Sequence, residues 1–477
     1  VVTNQLGNIE HVVVLMLENR SFDHMLGLLY SGSGNVSPSG QSFAGLTGHE
    51  SNVDGSGNVV PVSQITPATP NAFYMPGADP GEGYVATNLQ LFGSQAAPVP
   101  PVATNGGFVT NFAATLAWET AAPGWSVVAG TTADDIMGAF TPVSLPVMSG
   151  LARGFAVCDQ WFASAPTETM PNRAFVNAAT SQGHLDDKTK SFTCPSIFGA
   201  LTQKQVSWSI YGYDSDPLTR LNFADTTAAP DANFGVFSGF QAAAKEGTLP
   251  SYTFLEPSWS SSGNSQHPNY DVALGEQFIL AVYQAVRSSP AWNSTLLVIT
   301  YDEHGGCYDH VAPPSGATPP DSSVGEFGFD FSRFGVRVPA VLVSPWIEAG
   351  TVYRAPAGGP PLDHTSILKT VELLFGVAPL TARDAAAPDL GGALTARQPR
   401  TDDPLAGVVA PTSSTPNPSA GLPSHLQEIH ADLVAALPVP GTSGSQEPMP
   451  PLRTDADYRR FIDSRTAAWK ATHTSAG

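Results

Sequence analysis

The sequence predicts an α/β fold built on a mainly parallel sheet, and three observations carry that prediction. Short, nearly continuous apolar runs recur along the chain, and helical spacing fills several of the intervals between them. Charged residues are only 13% of the 477, too few for a coiled coil or a disordered polyelectrolyte, while 42% hydrophobic residues supply a sizeable core. Forty-five Gly and 43 Pro add long irregular connections to this picture.

The elements follow in order. Ile9 to Leu17 reads IEHVVVLML, a Val-rich run suited to a central strand buried on both faces. From about 31 to 146 the chain turns loop-rich, with SGSGNVSPSG, DGSGN and AAPVPPV, and reads as a long insertion over one end of the sheet. Further strands are expected at Gly154 to Asp159, Gln205 to Tyr211, Ser251 to Leu255, Thr295 to Tyr301 and Val338 to Ser344. Helices are expected at Asn172 to Ser181, Ser196 to Gln203, Tyr270 to Ser288 and Ser366 to Phe375; the third has apolar positions at Val272, Leu274, Phe278, Ile279, Val282 and Val286. Residues 1–395 thus form one catalytic-sized unit, 396–422 a linker rich in Pro, Ser and Thr, and 423–477 a small helical extension. In that extension, helices at Ser424 to Leu437 and Thr454 to Thr472 flank the stretch VPGTSGSQEPMPP.

Composition excludes several functions. Lys and Arg number 21 against 41 Asp and Glu, a net charge of −20, which disfavours nucleic acid and any lasting attachment to an anionic membrane; only transient contact with a lipid surface is expected. The longest strongly apolar run, Val12 to Leu17, is far short of the ~20 residues that span a bilayer, and no signal segment opens the chain. Cys158, Cys194 and Cys307 make no CxxC pair, so neither a zinc ribbon nor a disulfide scaffold is expected.

In open parallel sheets ligands bind beyond the carboxyl ends of the strands. Two ends carry the right residues: Glu18 and Asn19 after the first strand, and Asp302, Glu303 and His304 after TLLVITY, followed by the flexible pair Gly305-Gly306. If the two strands are neighbours, three carboxylates and an amide converge, and a divalent cation is the economical way to offset their repulsion. Oxygen donors suit calcium, magnesium or manganese; nearby histidines keep zinc open. Thr169, ahead of Met170-Pro171, is placed either to cap the next helix or to present its hydroxyl to a phosphate at the helix N-terminus. Arg173 is positioned for phosphate oxygens or a structural salt bridge, and His267 in QHPN for proton transfer. His310 and His364 read as structural, and nothing marks Cys307 as a nucleophile.

These segments are specific in combination. IEHVVVLMLENRSFDHMLG, FAVCDQWFASAPTETMPNR, SYTFLEP with QHPN, LLVITYDEHGGCYDHVAPP, and VPAVLVSPW with DHTSILKTVELLFG resemble, in this order, the bacterial phosphoesterase family of phospholipases C and acid phosphatases. Plant non-specific phospholipases C look similar. The match runs from about Ile9 to Asp389. The resemblance implies an alkaline-phosphatase-like core, one divalent ion held by Glu18, Asn19, Asp302, Glu303 and Thr169, and Thr169 as nucleophile. It implies that His267 contacts the phosphoryl group or the leaving oxygen, with Arg173, Glu82 and His304 facing substrate. It further implies a secreted or periplasmic protein that hydrolyses a phosphate ester. The leading expectation is a phospholipase C forming phosphothreonine; the alternatives are an acid phosphatase-type monoesterase and a non-catalytic phosphate or lipid binder. One departure stands out: many members read D-P-x-H where this chain has Asp79, Pro80, Gly81 and Glu82. Tyr211 or Tyr213 falls in the region of a second family histidine.

Overall fold

In the computed structural model, residues 4–122, 124–438 and 449–473 are described; most of the Pro-rich stretch between the last two helices, 439–448, lies outside them. The core is an eight-stranded sheet made of His11–Leu17 (β1), Ala156–Val157 (β2), Trp208–Gly212 (β3), Phe234–Val236 (β4), Tyr252–Leu255 (β5), Thr295–Tyr301 (β6), Ala340–Val343 (β7) and Thr351–Val352 (β8). Its order is β8-β2-β7-β6-β1-β5-β3-β4. All neighbours are parallel except β7, which runs against both β6 and β2. The mainly parallel sheet expected from the apolar runs is present, and β1 and β6 sit at its centre because their side chains are buried on both faces.

The principal helices are Phe22–Leu26 (α1), Tyr84–Phe92 (α2), Phe108–Ala121 (α3), Pro146–Gly154 (α4), Thr169–Ala178 (α5), Ile197–Gln203 (α6), Phe237–Glu246 (α7), Val272–Arg287 (α8), Thr365–Phe375 (α9), His425–Ala435 (α10) and Asp455–His473 (α11). Start signals are visible at several: Ser196 accepts from Gly199 N, Asp271 from Ala273 N, and Ser424 forms a reciprocal box with Gln427. Thr169 does not cap its helix. Glu168 is the N-cap, Thr169 is the first helical residue, and Pro171 follows in the first turn, where a missing N–H costs nothing.

The insertion is more ordered than its composition suggests. Besides a Ser51–Val53 with Val59–Pro61 hairpin, it contains α2 and α3, which close over their own core of Leu46, Leu91, Phe108, Phe112, Ile136 and Met137. At the other end, Leu426 and Ile429 of α10 pack with Met170, Ala174 and Ala178 of α5 and with Trp259. Among the described residues no helix is long and apolar enough to cross a membrane.

Candidate active site

The site grows from the register of the central strands. Leu17 pairs with Tyr301, so Glu18 and Asp302 leave the sheet side by side at the carboxyl edge. Asn19 then turns into the left-handed region (φ 54), which asparagine tolerates, and its amide donates to Asp302 Oδ1 at 2.9 Å. Gly305 (φ 60) lies so close that a Cβ there would fall 2.1 Å from Asn19 O, so only glycine allows the two loops to meet. Into this corner α5 delivers Thr169, whose hydroxyl donates to Asn19 Oδ1 at 3.0 Å, while Asn19 Nδ2 donates to Glu82 Oε2 at 2.5 Å. One asparagine therefore ties together the two strand ends, the helix N-terminus and the insertion.

Arg173, one turn beyond Thr169, pairs through Nε with Asp302 Oδ2 at 2.9 Å and donates from Nη2 to Leu17 O at 3.0 Å. Its guanidinium lies 4.6 Å from the Trp259 ring centroid, and Nη1 has no partner. Asp302 spends Oδ1 on the Asn19 and Glu303 amides and Oδ2 on Arg173; burial still raises its pKa, with Arg173 opposing. Glu303 Oε2 meets Gly305 N and His304 Nδ1, at 2.8 and 3.0 Å, whereas the buried Oε1 has no partner. Burial and then Asp302 push Glu303 well above the ordinary carboxylate range. His304 is pulled down to about 3 by burial, so its ring is neutral. Gln90 donates to Gly81 O and Asn111 Oδ1, which turns its Oε1 toward His304 Nε2 at 2.7 Å. His304 Nε2 faces Gln90 Oε1, and its Nδ1 faces Glu303 Oε2.

Glu18 is buried and raised by that burial, with His267 opposing and Asp302 reinforcing. His267 is held through its backbone: Arg20, fully buried, donates to Gln266 O at 2.6 Å and to His267 O at 3.0 Å. Its Nδ1 faces Pro268 O at 2.9 Å, so Nε2 is the acceptor nitrogen, 3.7 Å from Asp79 Oδ1. Asp79, Glu82 and His267 bring ligand atoms within 4.8 Å of one another. Burial, then Asp79 and Glu303, raise Glu82 well above its usual range. An unpartnered Glu303 oxygen, a surplus of carboxylates that burial and mutual repulsion keep from ionising, and a donor set of hard oxygens with imidazole fit a divalent cation.

A cleft of about 880 Å³ opens onto this cluster; Asp79, Glu82, Glu168, Asp187, His267 and Tyr270 line it, with Trp125 from the insertion and His425, Arg453 and Tyr458 from the C-terminal helices. Hydrogen bonds join Asn19, Glu82, Thr169, Arg173, Asp302, Glu303 and His304 in this corner, whereas among the described residues the group here whose ligand atoms lie within 4.8 Å of one another is Asp79, Glu82 and His267, not the expected Glu18, Asp302 and Glu303. Tyr211 and Tyr213 are not cleft residues; they pack on Phe240 and Phe237. His310 is paired with Asp23 beside Arg337, and His364 Nε2 donates to Asp302 O at 2.6 Å, both supporting the loops. Arg20, Gln90, Asp187 and His425 went unread. Arg20 adjoins Asn19 in ENRSFDH, a signal that was available; Gln90 of α2, Asp187 in a turn and His425 of α10 come from other parts of the chain and carry no local mark.

The model of the Phosphoesterase family matches residues 9–378. Non-specific phospholipase C3 of Arabidopsis thaliana is 36% identical over 428 residues, covering 83% of this chain and 75% of its own length. Non-specific phospholipase C1 of the same plant is 38% identical, covering 80% and 69%. Phospholipase C A of Mycobacterium tuberculosis is 28% identical, covering 78% and 74%. A solved alkaline phosphatase superfamily protein from Vibrio parahaemolyticus aligns with 14% identity and a TM-score of 0.33, over 52% of this chain and 65% of that one. With the family match spanning both strand ends, the Thr169 helix and the His267 loop, the chain belongs to the Phosphoesterase family and is a phosphoric ester hydrolase.

Proposed function

We propose that the protein is a metal-dependent phospholipase C that cleaves the glycerol-phosphate bond through a phosphothreonine at Thr169. The observation that carries this reading is the Thr169 hydroxyl at the start of α5, bonded to Asn19 within a buried carboxylate cluster beside the cleft that Glu82 and Glu168 line. A divalent cation held by Glu18, Asn19, Asp302, Glu303 and Thr169 would supply Lewis acidity and lower the hydroxyl's pKa.

The chain's own groups define the rest. Asn19 Oδ1 accepts the Thr169 proton in the resting state and so orients the hydroxyl. Thr169 Oγ1 attacks phosphorus in line, an Oγ–P bond forms, and the bond from phosphorus to the diacylglycerol oxygen breaks. His267, its Nδ1–H fixed on Pro268 O, takes the Thr169 proton at Nε2 and gives it to the departing oxygen; in the second step it takes a proton from water and returns it to Thr169 Oγ1. That water attacks the phosphothreonine, Oγ–P breaks, and the phosphorylated headgroup leaves while Thr169 regains its proton. Glu82, whose ligand oxygen lies within 4.8 Å of the ligand atoms of His267 and Asp79, would share the proton there. Arg173 holds Asp302 in register, and its unpartnered Nη1 is available to a phosphoryl oxygen. Residues 1–395 would form the catalytic unit, 396–422 the connection and 423–477 the helical extension, in a secreted or periplasmic protein.

A panel of phospholipids and soluble phosphate monoesters, assayed before and after chelation, tests the reading. Lipid diesters hydrolysed faster than monoesters, with loss on chelation and recovery on adding metal, support it. Thr169→Ala should abolish turnover with fold and metal retained; full activity in that variant would refute it. Preference for monoesters would favour the phosphatase alternative.

A further inference from the structure

The amides that open α5 are not capped by the residue placed to cap them. Glu168, the N-cap, makes no side-chain bond to the first turn, and Pro171 has no N–H. A carboxylate from a separate loop takes the place: Asp187 Oδ1 accepts from Met170 N at 2.7 Å, and Asp187 N donates back to Glu168 Oε2 at 2.7 Å. Asp187 is buried, and its second oxygen is met by His425 Nε2 at 3.1 Å. His425 is the first residue of α10, 238 positions further along the chain.

That helix is anchored around the same spot. Ser424 donates from its hydroxyl to Trp259 O, Ser261 donates to Leu422 O at 2.7 Å, and Leu426 and Ile429 share a buried cluster with Met170, Ala174 and Ala178 of α5. A polar contact and an apolar one therefore join the C-terminal segment to the helix that carries Thr169. Asp187 holds the Met170 amide with one oxygen only, and beside Asp79, Glu82 and Glu168 its carboxylate would turn away unless the second oxygen were also held. His425 Nε2–H, donating to that oxygen from the rim of the cleft, holds it.

We infer that His425 is a positioning residue: by holding Asp187 on the Met170 amide it fixes the first turn of α5 and with it the direction of the Thr169 hydroxyl. The C-terminal helical segment is then part of the working site. This inference rests on Thr169 being the nucleophile.

The test uses the full chain and five variants, with kcat and KM measured on a phospholipid and on a soluble phosphate monoester, and thermal melts as the check on folding. His425→Ala should lower kcat threefold or more on both substrates, with KM changed less than twofold. His425→Gln, which keeps an N–H donor, should stay within twofold of the parent. Because the His425 side chain is 55% exposed, added imidazole should restore part of the His425→Ala rate. Asp187→Asn should lower kcat as well, and the double variant should be no slower than the slower single one. A kcat loss below threefold in folded His425→Ala, or equal losses in the alanine and glutamine variants, overturns the inference. Should His425→Ala fail to fold, parent-like kcat in folded Asp187→Asn overturns it instead. Thr169→Ala separates the two levels: activity there discards the nucleophile assignment, whereas a dead Thr169→Ala beside a fully active His425→Ala discards only the positioning role.

Discussion

Two helices of this molecule receive their N-terminal cap from a carboxylate far away in sequence, and they use it differently. At α4 the N-cap is Leu145, which has nothing to offer, and Glu276 of α8 spends both oxygens on Val147 N and Met148 N at 2.7 and 2.9 Å. Glu276 is completely buried. At α5 Asp187 spends one oxygen on Met170 N and turns the other to His425 at the rim of the cleft. The first cap locks a helix against the sheet; the second leaves a helix N-terminus facing a place where an anion can sit. Capping satisfies the same orphan amides in both cases, and solvent access decides whether the result is structure or a site.

The largest effect expected on the α5 side comes from Glu303→Gln. Removing the carboxylate that carries an unpartnered buried oxygen should cut hydrolysis roughly a hundredfold or more and lower the bound metal measured by elemental analysis. Unchanged metal content would move the ion elsewhere, toward Asp79, Glu82 and His267. Gly305→Ala comes next: the new Cβ meets Asn19 O in a left-handed turn, at a cost of about 1–3 kcal/mol, and displaces the loop bearing Asn19. Activity should fall together with melting temperature, and retention of both would show that the two loops can separate without harm.

The α4 side should respond in stability alone. Burial raises the Glu276 carboxyl from its ordinary 4.5 to about 7, against the pull of its two amide bonds. Since the folded protein holds this proton more tightly than the unfolded chain, its contribution is complete below pH 4.5 and lost as pH rises through 7, a change of about 3 kcal/mol. Glu276→Gln should flatten the denaturant midpoint between pH 5 and 7, by roughly that amount, and leave kcat at saturating substrate within about twofold. A kcat loss as large as that of Asp187→Asn would erase the contrast between the caps. The smallest effect belongs to Arg460→Ala, which removes an exposed i,i+3 pair with Asp457 and should leave the denaturant midpoint and kcat unchanged within error.

Much of the site was legible because it sits where strands end. The buried runs before Glu18 and Asp302 located two of its walls, and their adjacency followed once β1 and β6 paired. Glu82 was singled out as an acid in an unusual place and lies against Asn19. The insertion was harder to read, since α2 buries Thr87, Asn88 and Gln90 on polar contacts, so its inward face does not look apolar. Thr169 was expected as a possible cap of a helix from Asn172, yet the helix begins three residues earlier, at Thr169 itself with Glu168 as N-cap, and Asp187 stabilises the first turn from outside. Asp187 and His425 belong to loops and helices that meet only in the folded chain, and no local spacing records such a meeting.

The central claim, covalent catalysis at Thr169, is tested most directly by mixing the enzyme with a phospholipid labelled in its phosphate, quenching in acid during turnover, and sequencing the labelled peptide by mass spectrometry. Label on Thr169, appearing at the rate of the first turnover and absent from Thr169→Ala, is the predicted result. Turnover with no label on the chain, or label on another residue, would contradict it.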